Sequence, residues 1–236
     1  MINGVVIVGA GKGERLGSSV PKCLLKVENV PLILMAAFPF EKADKVKEIV
    51  LVLPKECEEE IRHQAKELGF RKIRAIVPGG ELRQDSVLSG LNALSDEVDR
   101  VMIHDGARCL VSSEIIERII RAMKDEPAVL AAIEVGDTIH RINRNFADRA
   151  PDRKELVAAQ TPQGFTKKLI SQAFIKAARE RLVVSDEVTL VRDVMGVVSF
   201  IVSGDRCNVK ITHPDDLDLY SAQLQKRALQ VKEGLR

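Results

Sequence analysis

The chain has 236 residues, of which 45% are hydrophobic and 30% charged, as is typical of a soluble globular protein. The 36 basic residues nearly balance the 34 acidic ones, giving a net charge of +2, and aromatic residues make up only 3%. Without a long basic run or aromatic side chains for base stacking, the composition gives no indication of nucleic-acid binding.

The first half of the chain alternates short apolar runs with amphipathic stretches. The runs at 5–8, 49–53, 73–77, 100–104 and 129–134 predict strands. The stretches at 31–40, 55–68, 86–94 and 112–124 predict helices. Because the strand runs are apolar on both faces, the order indicates an α/β fold with a mainly parallel sheet covered by helices.

The alternation of strands and helices breaks after Val135. Residues 136–158 are polar and rich in arginine, and they predict a hairpin arm that protrudes from a single domain spanning 1–236. Beyond the arm, helices are predicted at 167–180 and 187–195, strands at 198–202 and 208–211, and a last helix from 214.

Glycines cluster directly after the first predicted strand, in "GAGKGERLGSSVPK" at 9–22. Glycine lets backbone N–H groups approach a phosphate closely. The glycine spacing of the Walker phosphate loop is not met. The dinucleotide-binding pattern G-x-G-x-x-G fails as well, because Glu14 and Leu16 stand where its last glycine belongs. The failure of the second pattern excludes a NAD-dependent oxidoreductase. The pattern that fits is G-x-G-x-R at 11–15 followed by P-K at 21–22, a loop that wraps a nucleoside triphosphate. The alternative is a surface turn with solvated cations.

The cysteines and apolar runs indicate the cellular setting. Cys23, Cys57, Cys109 and Cys207 form no C-x-x-C pair, which argues against a zinc site and a disulfide framework. No stretch approaches the roughly 20 apolar residues of a membrane helix, and the run at 5–8 is too short for a signal peptide. We therefore expect a cytoplasmic protein with reduced thiols and no membrane partner.

Further stretches occur along the chain in a characteristic order. They are "GGELRQDSV" (79–87), "HDGAR" (104–108), "DT" (137–138), "DR" (152–153), "QTPQGF" (160–165), "SDE" (185–187) and "NVKIT" (208–212). Together with the glycine loop they resemble nucleotidyltransferases with a Rossmann-like sheet and, more narrowly, the family of 2-C-methyl-D-erythritol 4-phosphate cytidylyltransferases. The resemblance covers nearly the whole chain. It departs from the family at Gly9, where alanine is usual, at Gly106 and Cys109 in the "HDGAR" turn, and at Ser185, where threonine is usual.

The resemblance implies a reaction between CTP, with Mg²⁺, and a sugar-alcohol phosphate, releasing pyrophosphate. It also implies a homodimer in which the arm is exchanged. The catalytic cations that it implies are Arg15, Lys22 and Lys210. The CTP-binding residues that it implies are Gly9, Ala10, Gly11, Gly13, Gly80, Glu81, Ser86 and Gly106. The implied substrate-binding residues are Asp105, Arg108, Thr138, Arg153, Thr161 and Ser185, with Thr138 and Arg153 reaching a neighbour's site.

Several of these residues also have a purely structural interpretation. Lys210 lies between apolar neighbours, so it needs an anion unless it reaches solvent from an edge strand. Asp105 ends a strand, where it would accept hydrogen bonds from substrate hydroxyls or help hold Mg²⁺; alternatively it caps a turn and pairs with Arg108. Gly80 and Ser86 alternatively form a strand-to-helix turn and an N-cap.

Two other functions share these motifs. Ribitol-5-phosphate cytidylyltransferase is the nearest, and the "DR" that precedes "QTPQ" favours methylerythritol phosphate over it. A non-catalytic nucleotide-binding module would keep the glycines but could dispense with Lys22 and Lys210, and both lysines are present.

Overall fold

The computed structural model describes residues 1–11 and 20–234. The strands are β1 Asn3–Val8, β2 Lys26–Val27, β3 Val30–Pro31, β4 Val46–Leu53, β5 Ile73–Pro78, β6 Arg100–Asp105, β7 Ala128–Glu134, β8 Ile142–Asn143, β9 Phe146–Ala147, β10 Val157–Thr166 and β11 Phe200–Ser203. The α-helices are α1 Leu32–Lys42, α2 Glu58–Glu67, α3 Arg83–Ala93, α4 Ser113–Ala122, α5 Lys167–Glu180, α6 Glu187–Met195, α7 Pro214–Leu219 and α8 Ser221–Gly234. Within the described ranges, no helix combines the length and apolar character needed to span a bilayer.

The main sheet of the described residues has seven strands in the order β11-β7-β10-β6-β1-β4-β5. Strand β1 pairs in parallel with β4 and with β6, β4 pairs in parallel with β5, and β7 does so with β11. Strand β10 is antiparallel to both of its neighbours, β6 and β7. The predicted mainly parallel sheet is confirmed.

Helices cover both faces of this sheet, and each face has its own core. Alternate residues of β1 show the division, because Val5 and Ile7 pack on one side while Val6 packs on the other. The first core includes buried residues of α1, α2, α4 and α8, and the second includes those of α3, α5 and α6. This arrangement, a Rossmann-like layering of helices about a central sheet, is the predicted fold class.

The sequence analysis did not predict β10, although it lies inside the sheet. Its first part pairs with β7 up to Ala159, and regular pairing resumes only at Gln163. Pro162 lies in the interruption and has no N–H to donate to a neighbouring strand. The polar stretch Gln160–Gln163, with its proline, therefore did not look like a strand in the sequence. The structure accommodates it in β10 through a break in the pairing register.

Two smaller predictions are wrong. Residues 208–211 are not a strand: the Asn208 side chain instead donates to the Thr161 carbonyl at 2.8 Å, and the Ile211 N–H donates to the Ala107 carbonyl at 2.9 Å. The third helix begins at Arg83 rather than at Ser86, so Ser86 lies inside α3 and does not cap it.

The segment after β7 leaves the body of the protein. Strands β8 and β9 pair with each other as a two-stranded hairpin, and a 3-10 turn at Arg153–Glu155 leads back to β10. The hairpin carries exposed apolar side chains, with Ile142 at 80% and Phe146 at 77% of full exposure.

Candidate functional site

A cavity of about 780 Å³ opens where the strands β1, β5 and β6 end. The carboxyl ends of parallel strands are the usual place for a ligand in an open α/β sheet. The predicted residues that line it are Gly9, Ala10, Gly11, Lys22, Gly80, Glu81, Ser86, Asp105, Gly106 and Lys210. The structure therefore brings together residues that are far apart in the sequence, with 201 positions separating Gly9 from Lys210. The predicted Gly13 and Arg15 lie outside the described residues.

Two glycines, Gly79 beside the cavity and Gly106 in its wall, allow close approach to neighbouring elements. A Cβ atom on Gly79 would lie 2.2 Å from the Ala10 Cβ, and one on Gly106 would lie 2.2 Å from Ile33 Cδ1. Both distances are far inside van der Waals contact, so larger residues would force the loops apart. A Cβ on Gly11, by contrast, would have no atom of the described residues within 4 Å, and Gly11 lines the cavity.

Asp105 lies among three cations at the end of β6. Its Oδ2 atom is 2.9 Å from Lys210 Nζ and 3.7 Å from Arg108 Nε. Its Oδ1 atom accepts a hydrogen bond from Arg83 Nη2 at 3.1 Å. Burial alone would raise the pKa of this carboxyl, but the Arg83 guanidinium and the Lys210 ammonium outweigh burial and hold the pKa well below its ordinary value. Asp105 is therefore a firmly ionised carboxylate.

The segment 208–211 brings two lysines to the cavity. The Lys22 ammonium donates a hydrogen bond to the Ile211 carbonyl. Lys210 belongs to the segment itself, and its side chain remains 42% exposed beside Asp105. Lys210 therefore faces the cavity although it does not lie on a strand, and two ammonium groups border the same space.

Arg108 and Thr161 do not line the cavity and instead support it from behind. Arg108 is 13% exposed, and its guanidinium donates to the Asn208 carbonyl at 2.6 Å and to the Ala159 carbonyl at 3.4 Å. The Thr161 hydroxyl accepts a hydrogen bond from the Asp105 N–H at 3.0 Å. In this structure the two residues thus hold Asp105 and the segment 208–211 in place.

His104 completes this support. The ring is fully buried, and burial lowers its pKa to about 4, so the imidazole is neutral at pH 7. Its Nε2 atom lies 3.1 Å from the Arg108 carbonyl, which can only accept, so the ring proton is on Nε2. Nδ1 is then an acceptor, and the Thr161 hydroxyl donates to it across 3.0 Å. His104 therefore orients the hydroxyl that holds Asp105.

Three predicted substrate residues lie away from the cavity in this single chain. Thr138 and Arg153 are exposed on the arm, where an Arg153 Nη1 proton is donated to the Gly136 carbonyl at 3.0 Å. Ser185 is exposed in the loop before α6. None of the three lines the cavity.

Arg83 and Glu187 lie within the motifs at 79–87 and 185–187, but no role was predicted for either residue. Arg83 lines the cavity and links Asp105 to Glu187, whose side chain is only 3% exposed. Gly79 was likewise quoted without a role. The available indication was an arginine three residues before one predicted helix and a glutamate at the start of another, but spacing alone could not show that the two charges meet.

The charges of the site suit a polyanion. Three cations, Arg83, Arg108 and Lys210, contact Asp105, and Arg83 also contacts Glu187. Lys22 and the Glu81 carboxylate also line the cavity, so the charges of these residues sum to a small positive value. Among the described residues, no cluster of three His, Cys, Asp or Glu side chains could hold a metal ion. Because Asp105 already contacts three cations, a divalent metal fits here only together with the negative charge of a bound triphosphate.

A glycine-lined cavity with convergent lysines at the strand ends of a Rossmann-like sheet defines a nucleotidyltransferase. The sequence model of the 2-C-methyl-D-erythritol 4-phosphate cytidylyltransferase family matches residues 4–226. The chain belongs to that family, and it is thus an enzyme of the cytidylyltransferase class.

Relatives and solved structures agree with this family. An enzyme named 2-C-methyl-D-erythritol 4-phosphate cytidylyltransferase from Alkaliphilus metalliredigens is 36% identical to this chain, over 94% of this chain and 93% of its own length. The enzyme of the same name from Clostridium perfringens strain SM101 is 38% identical, over 91% of this chain and 95% of its own length. The crystal structure of 4-diphosphocytidyl-2C-methyl-D-erythritol synthase from Anaerococcus prevotii superposes with a TM-score of 0.82 at 27% identity, over 95% of this chain and 98% of its own. The cytidylyltransferase structure from Thermus thermophilus gives 0.77 at 30% identity, over 95% and 100%.

Proposed function

We propose that this protein transfers the cytidylyl group of CTP to 2-C-methyl-D-erythritol 4-phosphate. The products are 4-diphosphocytidyl-2-C-methyl-D-erythritol and pyrophosphate, in the non-mevalonate route to isoprenoid precursors. The observation that carries the proposal is the meeting of Lys22 and Lys210 at a cavity whose wall includes the glycines of three strand ends, Gly9, Gly11, Gly80 and Gly106. The membership of this chain in the cytidylyltransferase family supports the choice of both substrates.

The chemistry requires electrostatic stabilisation more than proton transfer. A phosphate oxygen of the sugar attacks the α-phosphorus of CTP, the bond to the β-phosphate oxygen breaks, and pyrophosphate leaves. The attacking phosphate is largely dianionic at pH 7, so no general base is needed. Lys22 and Lys210, with Arg15 by resemblance, would offset the charge that develops on the α-phosphate and the leaving group.

The nucleotide would occupy the glycine-lined part of the cavity. Backbone amides of Ala10 and Gly11 would face the phosphates, since a Cβ on Gly11 would meet no other described residue. Gly9 would line the wall beside them, because its own N–H is donated to the Val52 carbonyl at 2.8 Å. The pyrimidine and ribose would lie at Gly80, Glu81 and Ser86. The close approach of Gly79 to Ala10 limits the depth of the cavity beside these residues, which favours a base with a single ring.

The sugar phosphate would bind at Asp105, whose ionised carboxylate accepts hydrogen bonds from hydroxyl groups. Arg108 and Thr161 would serve this step by holding Asp105, and Ser185 would approach from the loop before α6. We propose that Mg²⁺ enters on the phosphate oxygens of CTP and neutralises part of their charge, because the protein offers no metal cage of its own in the residues that the structure describes.

The arm supports a homodimer as the active form. Ile142 and Phe146 expose most of their apolar surface in the single chain, and the proposed partner that covers them is a second copy. Thr138 and Arg153 would then contribute to the neighbour's sugar-phosphate site, where the planar arginine fork suits a phosphate. We also propose a cytoplasmic location, supported by the free thiols of all four cysteines.

Pyrophosphate release tests the reaction directly. The purified protein is incubated with CTP and Mg²⁺ and with either 2-C-methyl-D-erythritol 4-phosphate or ribitol 5-phosphate. We expect turnover with the first sugar phosphate and little with the second. Turnover with ribitol 5-phosphate alone would assign the sister activity, and CTP binding without any pyrophosphate release would indicate a non-catalytic module.

Subunit mixing tests the exchanged arm. Arg153→Ala and Lys22→Ala subunits are each expected to be nearly inactive alone. If the arm crosses, a mixed dimer contains one site with an intact Lys22 and an intact Arg153. Random mixing then restores about a quarter of wild-type activity. No recovery, with mixed dimers demonstrated by differential tags, would contradict arm exchange.

A further inference from the structure

Glu187 is a buried carboxylate that the proposed chemistry does not require. It is the first residue of α6, and its side chain is 3% exposed. It is not needed to cap that helix, because Asp186 already accepts a hydrogen bond from the Thr189 N–H at 3.0 Å. A function for Glu187 must therefore be sought in what its carboxylate contacts.

The contact that Glu187 makes is with Arg83, which lies at the cavity. One nitrogen of the Arg83 guanidinium, Nη1, donates to Glu187 Oε1, and the other, Nη2, donates to Asp105 Oδ1 at 3.1 Å. A guanidinium is planar and rigid, so the bond at one end of its fork sets the direction of the other. Glu187 therefore determines from which side Arg83 holds Asp105.

The same chain of charges joins two loops that face different ligands in the proposed function. Arg83 is the first residue of α3 and follows the nucleotide loop at Gly80. Glu187 follows the loop that contains Ser185. Asp105, between them, is the proposed acceptor for sugar hydroxyls. Glu187, Arg83 and Asp105 thus form a continuous link from one binding loop to the other.

The energetics indicate that this link is not primarily a device for stability. Burying a carboxylate is costly, and apolar residues of similar volume often stabilise such a site equally well or better. The second carboxylate oxygen of Glu187, Oε2, is buried without a hydrogen-bond partner among the residues that the structure describes. Burial raises the pKa of Glu187, and the Arg83 guanidinium opposes that rise. The unfavourable burial is consistent with a requirement for geometry at the cavity.

We propose that Glu187 is a positioning residue for the cytidylyl transfer, which acts through Arg83 to orient the Asp105 carboxylate and to hold the nucleotide and sugar-phosphate loops in register. This inference rests on the proposed function. Arg83 is the member of the link that also lines the cavity, so displacement of its guanidinium changes the nucleotide wall as well as Asp105.

The test compares Glu187→Gln, which keeps the shape and removes the charge, with Glu187→Asp, which keeps the charge and withdraws it from Arg83. Glu48→Gln is the matched control, because Glu48 is also a largely buried partner of an arginine: its Oε2 lies 3.3 Å from Arg74 Nε, and its side chain is 13% exposed. Glu48 lies in the first half of β4, whereas the cavity lies at the carboxyl ends of the strands.

Steady-state pyrophosphate release, calorimetric CTP binding and thermal unfolding are measured for each variant. We expect both Glu187 variants to raise the KM for the sugar phosphate about tenfold and the Kd of CTP about threefold, as loss of a charged hydrogen bond allows. Glu48→Gln should lower the unfolding temperature without changing either constant. The double variant Arg83→Lys/Glu187→Gln should be no worse than Arg83→Lys alone, because Glu187 acts through Arg83.

Two results would overturn the inference. One is a Glu187→Gln enzyme that matches Glu48→Gln in KM and Kd and loses only stability, and the other is a double variant whose losses are additive. Failure of the proposed function is recognised separately, as absence of pyrophosphate release by the wild-type protein. In that case the CTP affinities still decide the inference, since an unchanged Kd in Glu187→Gln rejects it and a threefold rise supports it.

Discussion

The buried His104 makes the stability of this protein depend on pH between about 6.5 and 4. Its ordinary pKa is 6.5, and burial lowers it to about 4 in the folded protein. Between these values the unfolded chain binds a proton that the folded chain does not, so stability falls as the pH falls. At 1.36 kcal/mol per pH unit the full effect is about 3 kcal/mol, of which about 2 kcal/mol is lost by pH 5.

The assay is urea unfolding at pH 7.5, 6 and 5, followed by far-ultraviolet circular dichroism because the chain has no tryptophan. His104→Gln is the comparison, since its amide can still donate to the Arg108 carbonyl but does not titrate in this range. We expect the wild-type free energy of unfolding to fall by about 2 kcal/mol more than that of His104→Gln between pH 7.5 and 5. Parallel pH profiles for the two proteins would refute a buried neutral His104.

Three further predictions concern the cavity and the arm. Lys22→Ala and Lys210→Ala should each reduce turnover about a hundredfold with the fold retained; near-wild-type pyrophosphate release would remove their catalytic role. Gly79→Ala places a methyl group 2.2 Å from the Ala10 Cβ and should weaken CTP binding about tenfold by calorimetry; unchanged affinity would show that the loops can separate freely. Phe146→Asp should shift sedimentation towards the monomer at unchanged thermal stability, whereas an intact dimer would place the interface elsewhere.

The sequence was sufficient to predict most helices and the parallel strands because their patterns are local. The helices α5 and α6 begin and end at the predicted residues. In the structure the Thr166 hydroxyl and the Asp186 carboxylate cap them. Strand β10 and the segment 208–211 escaped prediction because their conformations depend on distant partners. Asn208, for example, is held by Gln160 and Thr161, which lie 48 and 47 residues earlier.

The candidate site likewise contains residues that local motifs indicate and contacts between distant residues that they do not. The glycines and lysines of the cavity could be predicted because the ligand itself demands small residues and cations at particular spacings in the chain. The hydrogen bonds of Arg108 and Thr161 within the chain could not be predicted, since a motif does not show which neighbouring groups a side chain contacts. The contact between Arg83 and Glu187 joins residues 104 positions apart, and no local pattern contains it.

The arrangement around Asp105 explains how several cations can gather at one cavity in a stable fold. Arg83, Arg108 and Lys210 would repel one another if they were gathered without a counter-charge. Asp105 contacts all three, and Glu187 balances Arg83 from the opposite side. The carboxylates thus hold the cations in place while a net positive charge remains at the cavity, which favours the binding of a triphosphate.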